Sequence, residues 1–239
     1  MANLPDFSTD EVADHTMALL LSAARQLKRY EGAMRRGQQP RELEHMHRLF
    51  SRTLGLVGFG RIGLAVARRA ASFGMKILAV DPRLSARDAA GHGVEKVDLE
   101  TALMRSDYQC LLCPLTPRTR HMLTIRELRA MKPGAVLVNT ARGGLVNEDD
   151  LALALREGIV RHAALDVFSG IDVFDPDGFP VDHPFFGLDN VTLTPHVAAC
   201  SEEAVAEAGV RGAQAVADVM AGLLPAHLVN PGVVPWWRS

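Results

Sequence analysis

One short glycine-rich turn constrains the fold of this chain more than any other part of its sequence. Residues 58–63 read Gly-Phe-Gly-Arg-Ile-Gly, between an apolar strand predicted over 54–59 and an amphipathic helix predicted over 62–73. In the pattern G-x-G-x-x-G the first glycine permits a tight turn, the second admits a pyrophosphate, and the third lets helix and strand pack closely. The helix amino terminus adds N–H groups and a positive dipole end. The predicted cofactor contacts in this turn are Gly58, Gly60, Arg61, Ile62 and Gly63.

An acidic residue ends the next predicted strand, which covers residues 76–80. There the carboxylate of Asp81 can accept hydrogen bonds from ribose hydroxyls and would repel a 2′-phosphate, which favours NAD over NADP. Arg83 follows closely and leaves NADP as the alternative. The other alternative, a glycine turn that holds no ligand, is disfavoured because strand, helix and acid occur together.

Strands and helices alternate along most of the chain. Further apolar strands are predicted over 109–112, 135–139, 162–167 and 191–194, and further helices over 98–104, 125–131, 148–157 and 201–223. A first helix is predicted from Ser8 to about Arg29, followed by a polar connector over 35–48. Strands that are apolar throughout belong in a parallel sheet covered on both faces. The predicted fold is therefore α/β, a doubly wound parallel sheet of Rossmann type.

Composition excludes several classes of protein. Lys and Arg total 26 and Asp and Glu total 28, so the net charge of −2 gives no reason to expect nucleic acid or an anionic membrane as partner. Three cysteines cannot build a disulfide scaffold and indicate a reducing compartment. The start shows no signal peptide and no membrane span, so a cytoplasmic location is expected. Cys110 and Cys113 lie in a predicted apolar strand and indicate core thiols, and His45 and His47 lack further ligands, so no metal site is predicted.

Polar residues follow three more predicted strands, at the edge where parallel sheets bind ligands. Arg142 lies in the run Asn-Thr-Ala-Arg-Gly-Gly over 139–144, Asp166 ends a strand, and His196 closes a Thr-Pro-His run. A guanidinium has a planar fork suited to a carboxylate. Taken singly, these residues could be a surface arginine, a capping aspartate and a loop histidine. Their common position at strand ends favours a site.

These motifs together resemble the D-isomer-specific 2-hydroxyacid dehydrogenase family. The resemblance runs from about residue 4 to Pro231, and residues 5–15 and 201–204 look most like its C-terminal-binding-protein-like branch. The matching segments are residues 57–63, 114–120, 131–135, 139–143, 164–168 and 194–196.

The resemblance implies a role for each matched residue. His196 would exchange a proton with the substrate oxygen while hydride moves to or from the nicotinamide, and Arg142 would hold the substrate carboxylate or polarise the keto oxygen. Asp166 would meet the nicotinamide end of NAD. The cofactor contacts implied beyond the glycine turn are Asp81, Pro114, Thr116, Thr119, Thr140, Ala141, Arg142, Asp166 and His196.

The chain departs from the family pattern in two ways. The family's glutamate that pairs with the histidine falls on Ile171 by direct count, on Asp172 with one inserted residue, and Asp175 is a further candidate; Asp172 is preferred as the catalytic partner. Family members also carry roughly a hundred further N-terminal residues, about one small domain. The predicted parts are therefore a linking helix and connector (1–47), an NAD-binding domain (48–196) and a remnant of an incomplete substrate domain (197–239). A truncation, a misassigned start and a natural remnant all remain open.

The resemblance implies an NAD-dependent enzyme that interconverts a small D-2-hydroxy acid and its 2-keto acid. The alternative is an NAD-responsive interaction module of the C-terminal-binding-protein kind. The apolar helix around Met17 to Leu27 lacks the lobe it would cover, which predicts a homodimer or another covering partner. His15, in the same helix, is interpreted as a core or interface histidine rather than a ligand.

Overall fold

A seven-stranded sheet forms the centre of the computed structural model, which describes residues 2–38, 46–170 and 182–230. All neighbouring strands are parallel, and they lie in the order β3-β2-β1-β4-β5-β6-β7. The order reverses between β1 and β4, and the carboxyl ends at such a point open a ligand crevice. The strands are β1 (Thr53–Val57), β2 (Lys76–Val80), β3 (Glu95–Lys96), β4 (Tyr108–Leu111), β5 (Val136–Asn139), β6 (His162–Leu165) and β7 (Val191–Leu193).

Helices cover both faces of the sheet because its strands are apolar on both sides. In β5, Val136 and Val138 pack in one buried cluster with Met17 and Val66, while Leu137 packs in a second cluster with Leu128. This alternation confirms the predicted doubly wound α/β fold. The helices of the described residues are α1 (Thr9–Ala24), α2 (Leu27–Arg35), α3 (Arg61–Ser72), α4 (Ala86–Gly91), α5 (Leu99–Arg105), α6 (Ile125–Ala130), α7 (Glu148–Arg156) and α8 (Glu202–Met220).

Two local predictions are wrong. The first helix does not continue to Arg29, because Gln26 takes a left-handed conformation with φ 51°, so α1 ends at Ala24 and α2 begins at Leu27. The sequence also missed α4 and β3 between the second and third predicted strands. Ser85 caps α4 by accepting a hydrogen bond from the amide of Asp88, and β3 is a two-residue edge strand whose charged side chains carry no apolar pattern.

The chain divides into two compact units. One consists of residues 12–198 and contains the sheet, and the other consists of residues 1–11 and 199–239. Most of α1 belongs to the unit that holds the sheet, whereas the sequence assigned the helix to a separate linking segment. The predicted domain boundaries at 47/48 and 196/197 stay predictions.

The apolar face of α1 is covered within its own unit. Met17 is 5% exposed and Leu20 is fully buried, so this part of the predicted helix needs no external cover, whereas Leu27, in α2, is 55% exposed. Uncovered apolar side chains also lie on α8, where Val210 is 71% and Met220 84% exposed. Neither α8 nor any other helix in the described part of the chain is long and apolar enough to cross a membrane. The predicted homodimer stays a prediction.

Candidate active site at the carboxyl edge of the sheet

The glycine turn follows β1 and is shaped by close packing of the backbone. Gly58 has φ 102°, and a Cβ atom there would lie 2.7 Å from the backbone nitrogen of Cys113, just past β4. A Cβ on Gly63 would lie 2.4 Å from the carbonyl oxygen of Gly58. A Cβ on Gly60 would meet nothing within 4 Å, so this position opens onto free space at the amino terminus of α3. The turn therefore fits a pyrophosphate approaching the helix terminus.

Asp81 braces the glycine turn from the end of β2. One carboxylate oxygen accepts the amide of Phe59 at 3.0 Å, and the other accepts the amide of Arg83 at 2.8 Å. Burial opposes ionisation, but these amides and the Arg83 cation outweigh it and hold the pKa of the Asp81 carboxyl below its ordinary value. Each carboxylate oxygen has a second lone pair, so the group can still accept ribose hydroxyls.

The turn after β4 lies beside the glycine turn and is closed by threonine hydroxyls. Thr119 Oγ1 donates to the carbonyl oxygen of Pro114 at 2.7 Å and accepts the amide of Thr116 at 2.8 Å. These bonds fix the backbone of the predicted cofactor contacts Pro114, Thr116 and Thr119. The turns after β1 and β4 thus flank the point where the strand order reverses.

Asn139 organises the turn after β5, which carries Arg142. Its side-chain oxygen accepts the amide of Ala141 at 3.0 Å, and its side-chain nitrogen donates to the carbonyl of Arg142 at 3.0 Å. The Arg142 guanidinium is exposed and donates to the carbonyl of Ala141 at 2.5 Å. A guanidinium has five N–H donors, so this bond leaves capacity to bind a carboxylate.

Asp166, at the end of β6, organises the turn after β7 that carries His196. Its Oδ1 accepts the Thr194 hydroxyl at 2.6 Å and the Val197 amide at 3.0 Å, and its Oδ2 accepts the Ala198 amide at 3.0 Å. The amide of His196 donates to the backbone carbonyl of Asp166 at 2.9 Å. Burial opposes ionisation of Asp166, but hydrogen bonds from His15, Thr194 and the two amides keep its pKa low.

The Asp166 side chain is 0% exposed, with its oxygens bonded to the turn that holds His196. Its predicted contact with the nicotinamide end of the cofactor therefore stays a prediction. His196 itself is exposed and has φ 56°, a left-handed conformation that side chains rarely adopt. Such strain costs on the order of 1–3 kcal/mol and persists only where surrounding contacts enforce it, as the Asp166 bonds do here.

The acidic partner predicted for His196 lies outside the described residues. Asp172, and the alternatives Ile171 and Asp175, fall in the range 171–181. Among the residues that the structure describes, no hydrogen bond reaches the His196 imidazole. The assignment of Asp172 thus remains a prediction.

The structure brings two residues to this edge that the sequence interpretation did not place there. His15 Nε2 lies 2.9 Å from Thr194 Oγ1 and 3.4 Å from Asp166 Oδ1. The Thr16 hydroxyl lies 2.7 Å from the hydroxyl of Thr140, which is itself 8% exposed. No local pattern signals either contact, because the partners are 179 and 124 residues apart in sequence.

Glu148 and His183 form a pair of an acid and a histidine beside the range 171–181. Glu148 Oε1 accepts the amide of Ser169 at 2.7 Å, and Glu148 Oε2 lies 3.2 Å from His183 Nε2. The His183 ring also packs on Phe168 with ring centroids 4.9 Å apart. These contacts hold together the described residues on either side of that range.

Of the two predicted core thiols, Cys110 lies in the core and Cys113 is only partly buried. Cys110 is fully buried in β4, and burial raises the pKa of its thiol and that of Cys113. Neither thiol is therefore activated as a nucleophile. In the described part of the chain, no three His, Cys, Asp or Glu residues are grouped to hold a metal ion.

Comparison with known proteins identifies a family. The family model of the D-isomer-specific 2-hydroxyacid dehydrogenase NAD-binding domain matches residues 17–198. D-3-phosphoglycerate dehydrogenase of Methanocaldococcus jannaschii is 41% identical over 236 residues, which is 98% of this chain and 44% of that protein. Glyoxylate reductase of Korarchaeum cryptofilum is 40% identical over 238 residues, covering 98% of this chain and 70% of that protein.

A solved structure agrees in fold. D-lactate dehydrogenase from Aquifex aeolicus, complexed with NAD and lactic acid, matches with a TM-score of 0.84 and 31% identity over 92% of this chain and 69% of that chain. The chain thus spans less than half of the phosphoglycerate dehydrogenase and about 70% of the glyoxylate reductase. The finer assignment to the C-terminal-binding-protein-like branch stays a prediction.

Proposed function

The chain belongs to the D-isomer-specific 2-hydroxyacid dehydrogenase family, and from that premise we propose that it is an NAD-dependent oxidoreductase. The reaction is the interconversion of a small D-2-hydroxy acid and its 2-keto acid by hydride transfer. One observation carries the proposal: Arg142 and His196 follow strands of the same parallel sheet as the glycine turn, so all three lie at its carboxyl edge. Asp166 N–H donates to the carbonyl of Asn139 at 2.9 Å, which ties the ends of β5 and β6 together.

The cofactor contacts follow from the geometry of the glycine turn and Asp81. NAD, when bound, accepts or donates the hydride. Gly60 and the amino terminus of α3 would hold its pyrophosphate. The Asp81 carboxylate would accept ribose hydroxyls, and its negative charge would oppose the 2′-phosphate of NADP. The complex of the Aquifex aeolicus relative with NAD and lactic acid supports this assignment.

His196 would manage the proton that accompanies the hydride. In reduction, its imidazolium donates a proton to the carbonyl oxygen of the keto acid as hydride reaches the carbonyl carbon. In oxidation, the neutral imidazole accepts the hydroxyl proton as hydride leaves the same carbon. An imidazole suits both directions because it can donate a proton in one and accept it in the other. Arg142 would bind the carboxylate that 2-hydroxy and 2-keto acids share.

Turnover with a matched pair of variants tests the proposal. The wild-type chain should oxidise NADH with glyoxylate or hydroxypyruvate as acceptor. His196→Gln should lower kcat by about 100-fold or more, because an amide cannot exchange the proton, while the Kd for NADH stays within about twofold. His227→Gln is the control, since His227 is also exposed and has φ 57°, so the same backbone conformation is substituted.

Two results would count against an enzyme. Tight NADH binding without turnover of any small keto acid would support the alternative, an NAD-responsive interaction module. Equal activity of His196→Gln and His227→Gln would remove His196 from the mechanism. The named relatives carry enzyme names, so the comparisons do not favour the module.

A further inference from the structure

We propose that His15 and Thr16, two successive residues of α1, are positioning residues that hold the turns carrying His196 and Arg142. The sequence gives no sign of this role, and the family match begins only at residue 17. The catalytic meaning of the proposal rests on the proposed function. The bonding that it describes does not, because that bonding joins residues of this chain to one another.

Hydrogen-bond accounting fixes the direction of the bonds at His15. A carboxylate only accepts, so the single proton of the Thr194 hydroxyl goes to Asp166 Oδ1 at 2.6 Å. The Thr194 oxygen must then accept from His15 Nε2 at 2.9 Å, which means that this ring nitrogen carries a proton. His15 thus donates into a chain of bonds that ends on Asp166.

The same chain of bonds continues into the backbone on either side of His196. Asp166 accepts the amides of Val197 and Ala198, and Thr194 stands two positions before His196. Without the donor on His15, the Thr194 oxygen would lose its partner in a half-buried site, and its hydroxyl would be free to rotate away from Asp166. A left-handed residue such as His196 depends on surrounding bonds of this kind.

Thr16 performs the matching task at the turn after β5. Its hydroxyl donates to the carbonyl oxygen of Val12 at 2.7 Å, which uses its proton. It must therefore accept from the Thr140 hydroxyl at 2.7 Å. Thr140 stands two positions before Arg142, as Thr194 stands two positions before His196. Thr16 is fully buried, so this bond has no competition from solvent.

The helix α1, which carries the donor of His15 and the acceptor of Thr16, is itself held rigidly. Met17 and Leu20 belong to the buried cluster that covers one face of the sheet. Successive residues of an α-helix point about 100° apart, so His15 and Thr16 can reach two different turns from one place. α1 therefore links the turn of His196 to the turn of Arg142. One link is an imidazole–hydroxyl bond and the other is a hydroxyl–hydroxyl bond.

Paired substitutions separate this role from simple packing. His15→Phe keeps an aromatic ring without a donor, and Thr16→Val keeps the shape without the hydroxyl. Each should lower kcat at least tenfold. A small displacement of a reacting group suffices for such a loss. His15→Gln and Thr16→Ser retain the bonding groups and should stay within about threefold of wild type. Met17→Ala is the control, because it removes buried side-chain contacts of the same helix while leaving both bonding groups in place.

Amide exchange measured by NMR tests the bonding independently of activity. His15→Phe should accelerate exchange at Val197 and Ala198 at least tenfold, and Thr16→Val should do so at Ala141, with wild-type rates in His15→Gln and Thr16→Ser. If the wild-type chain does not turn over a keto acid, the proposed function fails, yet these rates still decide whether α1 holds the turns. Three results would each overturn the positioning role. These are unchanged amide exchange in His15→Phe and Thr16→Val, unchanged kcat in these variants of an active enzyme, and an equal loss of kcat in Met17→Ala.

Discussion

At the scale of single residues, the three glycines of the turn after β1 have different tasks. Gly58 and Gly63 are required by the chain itself, because a Cβ on either would approach backbone atoms within 2.7 Å. Gly60 has no such neighbour, so its missing side chain leaves room for a ligand. The stability of the fold and the binding of a cofactor can therefore be separated by substituting one glycine at a time.

Gly58→Ala should destabilise the chain, and Gly60→Ala should not. An alanine at position 58 would have a positive φ, and its Cβ would clash with two backbone groups. Together these costs should lower the unfolding free energy by on the order of 3 kcal/mol. At Gly60 the cost should stay below about 1 kcal/mol. Urea unfolding followed by circular dichroism measures both values, and equal losses would contradict the packing described for Gly58.

At the scale of elements, the junction of β6 and β7 holds a partly buried histidine. His162 Nε2 lies 2.9 Å from Thr192 Oγ1 on the neighbouring strand. Burial, helped by the charges of Arg161 and Lys28, lowers the pKa of this imidazole to about 4. The side chain is therefore neutral in the folded chain at neutral pH, and this has a consequence for acid stability.

Acid should weaken the fold through His162. Below about pH 6.5 the unfolded chain binds a proton that the folded chain takes up only near pH 4, so the unfolding free energy falls as pH falls through this window. The loss is at most about 1.4 kcal/mol per pH unit and about 3 kcal/mol in total. His162→Gln removes the titration. Urea unfolding at pH 7.5 and 4.5 should show a larger loss of unfolding free energy for wild type than for His162→Gln. Equal losses in the two proteins would refute the role of His162.

Element boundaries show what local sequence can and cannot determine. β2 was predicted to the residue, because the apolar residues 77–80 of Lys76–Val80 stand between Gly74, two positions before the strand, and Asp81, directly after it. The break at Gln26 was missed, since its left-handed backbone has no glycine to mark it. β3 was missed because two charged residues at a sheet edge pair through backbone alone.

The same distinction applies to the candidate site. Gly60, Asp81 and His196 each follow or end a predicted strand, and the parallel topology then places them at one edge of the sheet. His15 and Thr16 could not be found this way. Their partners lie on distant turns, and the contact depends on how α1 packs across the sheet.

At the scale of the whole molecule, we infer a homodimer from the uncovered face of α8. Val205, Val216 and Met220 are each at least 60% exposed and lie within about 60° of one another around the helix axis, which is a large apolar surface for one helix. Light scattering after size exclusion should give twice the chain mass of 25.9 kDa. Val216→Asp should shift the mass toward one chain, because it places a charge on that face. A wild-type monomer would contradict the dimer.

Calorimetric titration with NADH tests the central claim, that the glycine turn and Asp81 form a dinucleotide site. Wild type should release saturable heat with one NADH site per chain. NADPH should bind at least tenfold more weakly than NADH, because Asp81 opposes its extra phosphate. Folded Gly60→Val should bind NADH at least tenfold more weakly than wild type. If wild type released no heat up to about 1 mM NADH while remaining folded, the turn would not be a cofactor site.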